Sequence, residues 1–294
     1  MRKKTLGIIL AAGRSSRLYP ATLVTTKQVL PIYDKPLIYY PLTTLMLGGI
    51  RDFVIITNPK EKYIFQELFD GHVDNLGVNI TFAVQNAPNG IADAFNVVQN
   101  AIHSKISEYD NFALILGDNI FYGATMTGAI QEALDSSCAS VFATRVSDPE
   151  RFGVVEIKND KVLSLEEKPM NPKSNYAVTG LYVYPSDVFD RAYRLRPSPR
   201  GELEITDLNK EYLKDDDLQV QKLARGVVWF DTGTPDSMLE SSYMIQTLQR
   251  HQQIIIGSPH EVAYINGWIT PEKLKETADL CHKTAYGQYL MSVL

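Results

Sequence analysis

The sequence has few cysteines and no long apolar run. Its two cysteines, Cys138 and Cys281, lie far apart and outside any CxxC or Cys/His cluster. This pattern predicts neither a disulfide framework nor a zinc site and favours a reduced, cytoplasmic setting. Because no apolar stretch approaches the roughly 18 residues of a membrane-spanning helix, we expect no membrane contact.

An excess of basic charge is also missing. The chain has 29 Lys and Arg against 34 Asp and Glu, a net charge of −5. It therefore has no general electrostatic reason to bind nucleic acid or an anionic membrane, and any phosphate binding must be local. We find no internal repeat and no low-complexity linker, so residues 1–294 are treated as a single domain.

Short apolar runs alternate with helical segments in the first half of the chain. Strands are predicted at residues 6–11, 53–57, 78–84, 112–116 and 140–144, and helices at 37–47, 60–69, 91–102 and 126–134. Such alternation is typical of an α/β fold with a doubly wound, mostly parallel sheet flanked by helices.

The pattern changes after about residue 146. Residues 152–157 and 162–165 flank a Lys-Asn-Asp-Lys turn, and 176–184 is a third strand, so an antiparallel insertion is predicted here. Segments 218–223 and 227–230 are expected to return to the sheet, followed by a helix over 234–250. The tail from residue 258 is predicted to be helical and to pack on the body or on a neighbouring subunit.

The loop after the first predicted strand is the first candidate site, because ligands of open α/β sheets bind beyond the carboxyl ends of the strands. Residues 11–17 read Ala-Ala-Gly-Arg-Ser-Ser-Arg, a turn of small residues whose backbone N–H groups can face phosphates. Arg17 and Lys27 are candidate cations for a triphosphate. The loop matches neither the Walker A spacing nor GxGxxG, and read alone it is equally well a structural turn.

Two carboxylates also follow predicted strands. Asp118 ends an apolar run, where Mg²⁺ could be held by one or two carboxylates and substrate phosphates. The alternative is an aspartate that caps a following helix. Asp231, before Thr232-Gly233-Thr234, lies at another junction of strand and helix, and this second carboxylate favours the metal site.

Two further segments are weaker signals. Glu167 and Lys168 could bind sugar hydroxyls and a sugar phosphate, although a solvated run of surface charge explains them as well. Gln85 begins the turn Gln-Asn-Ala-Pro-Asn-Gly and carries both the donor and the acceptor needed to read a pyrimidine edge. The alternative is an ordinary polar turn.

These segments, in this order, resemble the glucose-1-phosphate thymidylyltransferases. The likeness runs from about Leu6 to the C-terminus and includes blocks at residues 27–36, 116–123, 148–155, 200–207 and 231–234. The resemblance implies a Rossmann-like nucleotidyltransferase fold with Mg²⁺ as cofactor. It also implies a homotetramer and the reaction of dTTP with α-D-glucose 1-phosphate to give dTDP-glucose and pyrophosphate, the first step of dTDP-L-rhamnose-type biosynthesis.

Carried over position by position, the resemblance implies four sets of site residues. The catalytic set is Arg17, Lys27 and Lys168; the nucleotide-binding set is Leu10, Ala11, Gly13, Arg14, Ser15, Ser16, Gln85, Gly90 and Asp118; the sugar-phosphate set is Gly153, Glu167, Lys168, Val178, Tyr182 and Arg200; and the metal ligands are Asp118 and Asp231. The chain would then divide into a nucleotide-binding part (about 1–146), a sugar-phosphate-binding part (147–225), and a part carrying the second metal ligand and the helical tail (226–294).

The sequence departs from the family pattern in two places. The phosphate loop, usually Leu-Ala-Gly-Gly-x-Gly-Thr-Arg, has Ala12, Ser15 and Ser16 here. If Ser15 requires φ > 0, its backbone is strained by about 1 kcal/mol or more, so an altered rate or nucleotide preference is expected. The family also has a second, regulatory nucleotide site. Ile265 stands here where the family usually has an arginine of that site, although Arg225 remains. We therefore expect weaker feedback inhibition by a dTDP-sugar.

Two alternatives stay open. The same chemistry could use UTP or another sugar 1-phosphate, because Gln85 pairs with uracil as well as thymine and nothing in the sequence reads the absence of the 2′-hydroxyl. A catalytically weak regulatory relative is the other alternative. The altered loop favours it slightly. Much stronger evidence against it is that the expected site residues are intact, namely Arg17, Lys27, Asp118, Lys168 and Asp231.

Overall fold

The computed structural model describes residues 3–13, 15–69 and 76–294. The strands of this part are β1 (Thr5–Leu10), β2 (Pro31–Ile32), β3 (Lys35–Pro36), β4 (Asp52–Thr57), β5 (Asn79–Val84), β6 (Asn111–Leu116), β7 (Asn119–Tyr122), β8 (Ala139–Arg145), β9 (Gly153–Lys158), β10 (Lys161–Glu167), β11 (Tyr176–Pro185), β12 (Leu218–Lys222) and β13 (Val228–Asp231). Its helices are α1 (Tyr39–Leu47), α2 (Lys62–Phe69), α3 (Asp93–Ile102), α4 (Met126–Asp135), α5 (Val188–Arg194), α6 (Ile205–Lys214), α7 (Pro235–Gln252), α8 (Pro259–Ile265), α9 (Pro271–Leu280) and α10 (Ala285–Val293).

A nine-stranded sheet runs through the molecule, and its parallel core has the order β6-β1-β4-β5. The strand β11 joins this core antiparallel to β6, and its other edge pairs with both β8 and β9. The hairpin of β9 and β10 extends the sheet on that side, and β12 adds to β8 in parallel. The predicted α/β class with a largely parallel central sheet is confirmed.

Helices cover both faces of the sheet because successive strand residues point to opposite sides. In β1, Ile9 belongs to one apolar core together with α1, whereas Ile8 belongs to a second core with α3, α5 and α6. The central parallel strands β1, β4 and β6 are buried on both faces, which explains why their sequences read as continuous apolar runs rather than alternating patterns.

The segment after residue 226 differs from the prediction. The strand β12 returns to the main sheet as expected, but β13 does not. It pairs antiparallel with β7 in a separate two-stranded sheet, with Asp231 opposite Asn119. The antiparallel insertion also proves to be continuous with the central sheet, since β11 pairs directly with β6.

The C-terminal helices pack on the body of the molecule. Val262 of α8, Leu274 of α9 and Leu290 of α10 are buried in the same core as Leu42 of α1. None of the helices seen in residues 3–13, 15–69 and 76–294 combines the length and apolar character needed to cross a membrane.

Candidate active site

The carboxyl ends of the four parallel core strands meet at one edge of the sheet, and backbone hydrogen bonds connect the loops that follow them. Ala11 N–H donates to Ile56 O at 2.7 Å, and Gly117 N–H donates to Leu10 O at 2.9 Å. The end of β5 is fixed in the same way, because Gln85 N–H donates to the carbonyl of Thr57 at 2.9 Å. The phosphate-loop candidate, the Asp118 segment and the Gln85 turn therefore lie along one edge.

The loop after β1 contains Gly13 and Ser15. Gly13 is exposed, its φ lies outside the left-handed region, and a Cβ added there would meet no atom within 4 Å. Packing therefore does not require glycine at this position, whereas close approach of a ligand would. Ser15 has φ 51° and precedes a short 3-10 turn that begins at Ser16. Arg14, a predicted nucleotide-binding residue, lies outside the described residues.

Asp118 forms an ion pair with Lys27. Both side chains are largely buried, with exposed fractions of 17% and 9%. Burial alone would raise the pKa of Asp118, but the charge and hydrogen bond of Lys27 outweigh burial and hold the pKa below its usual value. The alternative role as a helix cap is wrong, because the strand β7 and not a helix follows Asp118.

Asp231 reaches the same place from β13. Asp231 pairs with Asn119 across the two strands, which places it beside Asp118. Thr232 holds the end of β13 against the Asp118 segment, because its N–H (3.2 Å) and its hydroxyl (2.7 Å) both donate to Asp118 O. Burial and then the neighbouring charge of Asp118 raise the pKa of Asp231, partly offset by Lys27 and Arg17.

Arg17 closes this group through contact with Gly233. A Cβ on Gly233 would lie 2.7 Å from Arg17 Nη2 and 3.4 Å from Asp231 Oδ1, so the guanidinium lies directly against the glycine backbone. The structure thus brings four predicted residues together from remote parts of the chain: Arg17, Lys27, Asp118 and Asp231.

These residues fit a magnesium ion that also binds phosphate. The described part of the chain offers no cluster of three or more His, Cys, Asp or Glu side chains, so a cage made only of protein ligands is absent there. A pair of adjacent carboxylates is the donor set expected when substrate phosphates and water complete the octahedron. In the structure, the positive charge beside the Asp118 carboxylate comes from the amine of Lys27.

Asn119 is a buried residue that the sequence reasoning did not select. Its Nδ2 donates to Asp118 Oδ1 at 2.9 Å, while its Oδ1 accepts the N–H of Gly180 at 3.0 Å and the indole N–H of Trp229 at 2.6 Å. Asn119 therefore orients the Asp118 carboxylate and connects β7 with β11 and β13. Its place in the Leu-Gly-Asp-Asn block was the available signal.

The sugar-phosphate candidates form a second group around Glu167. A Cβ on Gly153 would lie 3.4 Å from Glu167 Oε2 and 3.9 Å from the Cβ of Val178, so these three residues are neighbours. Thr206 donates its hydroxyl to Glu167 Oε2 at 2.5 Å. Tyr182 is buried, and burial followed by the charge of Glu167 raises the pKa of its phenol.

Two cations flank Glu167. Arg200 Nη2 lies 3.3 Å from Glu167 Oε1 and 2.9 Å from both carboxylate oxygens of Glu204, which sequence reasoning did not single out. Lys168 is exposed and its Nζ lies 3.9 Å from Glu167 Oε1. The backbone of Lys168 is fixed by donation from its N–H to Phe152 O at 3.0 Å.

An aromatic contact connects the two groups. The rings of Phe152 and Trp229 lie 5.2 Å apart in an edge-to-face arrangement. Phe152 precedes Gly153 in the sugar-side group, and Trp229 bonds Asn119 beside Asp118. The two groups of candidate residues are therefore neighbours in the fold.

At the other end of the edge, Gln85 is buried with an exposed fraction of 5%. Its Nε2 donates to Asp93 Oδ2 at 2.9 Å and to Gly90 O at 3.2 Å. Gly90 has φ 104°, and a Cβ there would collide with the backbone of Leu203. Leu203 N–H donates to Asn89 O at 2.6 Å, so the turn after β5 is tied to the segment that carries Arg200.

A separate cavity of about 640 Å³ lies between α5 and α6. Its charges are mostly paired: Arg191 bonds Asp187 and Asp215, and Lys214 bonds Glu211. Because most of these charges are already paired with one another, we do not place the chemistry there.

Fold and site together define an α/β protein with a carboxylate pair at the carboxyl edge of its parallel strands and a second group of polar residues around Glu167. The profile of the family described as nucleotidyl transferase matches residues 6–247, and the chain belongs to this family. The glucose-1-phosphate thymidylyltransferase of Neisseria meningitidis is 49% identical over 290 residues, covering 98% of this chain and 99% of the relative.

Two further relatives agree. The glucose-1-phosphate thymidylyltransferase of Mycobacterium tuberculosis is 48% identical over 289 residues, 98% of each chain. A Bacillus anthracis crystal structure assigned to the same enzyme, in complex with sucrose, matches with a TM-score of 0.75 and 38% identity, covering 87% of this chain and 98% of that one. The family resemblance predicted from the sequence is thereby confirmed.

Proposed function

We propose that this chain transfers a thymidylyl group from dTTP to α-D-glucose 1-phosphate and releases pyrophosphate. The observation that carries the proposal is the meeting of Arg17 and Lys27 with the carboxylates of Asp118 and Asp231 at the phosphate end of the sheet. The identity of about half of the residues to relatives named for this reaction supports the choice of substrates.

The reaction is a single displacement at the α-phosphorus. A phosphate oxygen of glucose 1-phosphate forms the new P–O bond, and the bond from the α-phosphorus to the bridging oxygen breaks, with its electron pair leaving on pyrophosphate. The nucleophile is already an anion at neutral pH, so no general base is required. Catalysis then consists of positioning and charge stabilisation.

Arg17 and Lys27 act on the triphosphate. Arg17 is an exposed residue whose guanidinium lies against Gly233, and this position suits binding to the β- and γ-phosphates as charge moves onto the leaving group. Mg²⁺ held by Asp118 and Asp231 would add a divalent charge that neutralises the phosphates. Lys27 would then exchange part of its contact with Asp118 for a phosphate oxygen.

Glu167 and its neighbours act on the sugar phosphate. The hydroxyl of Thr206 and the guanidinium of Arg200 hold the two carboxylate oxygens of Glu167, and this leaves them as fixed acceptors for sugar hydroxyls. Lys168 provides an exposed cation near the same carboxylate for the phosphate of the sugar. Val178 and Tyr182 form the apolar wall of this pocket.

The remaining assignments are parts of the same proposal. Residues about 1–146 bind the nucleotide, 147–225 bind the sugar phosphate, and 226–294 add the second metal ligand and the packing tail. We also propose a cytoplasmic location, a homotetramer and entry of the product into dTDP-rhamnose-type biosynthesis.

A dTDP-sugar at a second site should inhibit weakly, because Ile265 at the end of α8 is an exposed apolar side chain where the family has an arginine. Tight inhibition by dTDP-rhamnose at a site distinct from the active one would contradict that expectation.

The test is pyrophosphate release from each nucleoside triphosphate paired with glucose 1-phosphate, with and without Mg²⁺. We expect release with dTTP that requires Mg²⁺ and that Asp118→Asn nearly abolishes. Fast release with UTP but not dTTP would overturn the thymidylyl assignment. Release with none of the nucleotides would favour the regulatory alternative, and an undiminished Asp118→Asn rate would overturn the metal assignment.

A further inference from the structure

We infer that Asp93 fixes the orientation of the Gln85 amide, and that this orientation makes the base pocket select thymine or uracil against cytosine. The inference rests on the proposed function only in placing the base of the nucleotide at Gln85. It assigns a positioning role to a residue that lies outside the blocks shared with the family.

The orientation of the amide follows from the chemistry of its two partners. Gln85 Nε2 faces Asp93 Oδ2 at 2.9 Å and Gly90 O at 3.2 Å. A carboxylate and a carbonyl can only accept hydrogen bonds, so the group that faces them must be the NH₂. The opposite orientation would place Oε1 against two acceptors and lose both bonds.

Asp93 is itself held in place by the fold. It is the first residue of α3, where the helix dipole favours a negative charge. The side-chain amides of Asn89 and Asn96 each lie 3.4 Å from an oxygen of its carboxylate. Gly90 is equally constrained, since the turn is pinned against Leu203.

The fixed amide leaves one polar atom for a ligand. Within the part of the chain that the structure describes, no donor bonds Gln85 Oε1, although the residue is only 5% exposed. Thymine and uracil present the N3–H donor that this oxygen can accept. Cytosine presents an unprotonated N3, so two lone pairs would face each other in a place with little access to water.

The test uses Asp93→Leu, a substitution of similar size that removes the carboxylate acceptor. Gly90 O is then the only described partner of Gln85 Nε2, and loss of the charge-assisted bond lowers the cost of turning the amide over. The turned amide presents NH₂ to the base, which matches N3 of cytosine. We expect the preference for dTTP over dCTP, measured as a ratio of kcat/KM values, to fall at least about tenfold. The matched control is Asn96→Ala, which removes a neighbour of Asp93 and leaves the bond to Gln85, so the ratio should stay unchanged.

Equilibrium binding of dTTP and dCTP with Mg²⁺, measured by calorimetry, makes the test independent of turnover, and the fitted stoichiometry reports the folded fraction of the variant. The inference is overturned if the wild-type protein binds the two nucleotides equally, or if folded Asp93→Leu protein weakens both by the same factor. Failure of the proposed function looks different. In that case the wild type binds dTTP in preference to dCTP but forms no dTDP-glucose.

Discussion

The contact between Gly233 and Arg17 makes a sharp prediction, because a single methyl group should displace the guanidinium. In Gly233→Ala the new Cβ would lie 2.7 Å from Arg17 Nη2 and 3.2 Å from Arg17 Cζ, well inside the normal carbon to nitrogen separation of roughly 3.5 Å or more. The backbone of Gly233 is outside the left-handed region, so alanine itself is not strained. The flexible arginine should move rather than the fold.

The consequence should appear in rate rather than stability. Displacing a positioned donor from the developing charge typically costs about 100- to 1,000-fold in kcat, and we expect a loss of about 100-fold for Gly233→Ala. The free energy of unfolding should change by less than about 1 kcal/mol, because the clash falls on the mobile end of an exposed side chain. Pyrophosphate release gives the rate, and urea denaturation gives the stability.

Two controls define what would refute this reasoning. Gly128 of α4 is exposed, and a Cβ there meets no atom within 4 Å, so Gly128→Ala should keep the full rate and gain about 0.5 to 1 kcal/mol of stability. In an Arg17→Ala background, Gly233→Ala should cost almost nothing more. A Gly233→Ala rate within threefold of wild type, or losses that multiply in the double variant, would show that Gly233 does not act through Arg17.

Three further outcomes follow from the same site. Burial and then the charge of Asp118 raise the pKa of Asp231 in the folded protein above its value in the unfolded chain. The protonated carboxyl therefore contributes stability at low pH, and this contribution is lost as pH rises through the pKa of the folded state. Asp231→Asn should therefore raise the Tm of metal-free protein at pH 7, with the gain vanishing below about pH 4; equal Tm values at pH 7 would contradict this. Asn119→Ala should weaken Mn²⁺ binding at least about tenfold in paramagnetic resonance titrations, because it releases the Asp118 carboxylate, and an unchanged affinity would refute the orienting role. In a Trp268→Phe protein, Trp229 is the only tryptophan left, and its fluorescence emission should change when glucose 1-phosphate binds beside Phe152. A constant emission would argue that the contact between the Phe152 and Trp229 rings does not connect the sugar-side group with the Asp118 group.

The central strands could be predicted because their physical signal is local. The runs at residues 53–57 and 112–116 became β4 and β6 with bounds shifted by one residue at most, since burial on both faces leaves only apolar residues. Once those strands are known, the edge that collects their carboxyl ends is also known. Helix α6 was missed although its buried Ile205, Leu208 and Tyr212 follow helical spacing, so this signal was present in the sequence.

The pairing of β7 with β13 could not be predicted in this way. The segment Asn119–Tyr122 has four residues, and its partner lies more than 100 residues further along the chain. The prediction placed residues 227–230 in the main sheet, whereas the second small sheet is what sets Asp231 beside Asp118. The residue types at positions 118 and 231 indicated a pair of carboxylates. Their relative position follows only from the pairing of β7 with β13.

Contacts between remote side chains were equally hidden. Nothing local connects Gly233 with Arg17 or Thr206 with Glu167, because each pair meets only when separate elements pack together. Ser15 is different, since its possible strain was anticipated and the structure gives it φ 51°. A positive φ at a residue other than glycine is the local cost of the altered phosphate loop.

The proposed transfer to the sugar phosphate is decided by the identity and stoichiometry of the products. Purified protein is incubated with dTTP, glucose 1-phosphate and Mg²⁺, and the mixture is separated and analysed by mass spectrometry. We expect dTDP-glucose and pyrophosphate in equal amounts, with the sugar phosphate oxygen retained in the product. Pyrophosphate accompanied by dTMP, or no conversion of dTTP at all, would contradict the proposal that the sugar phosphate is the nucleophile in this site.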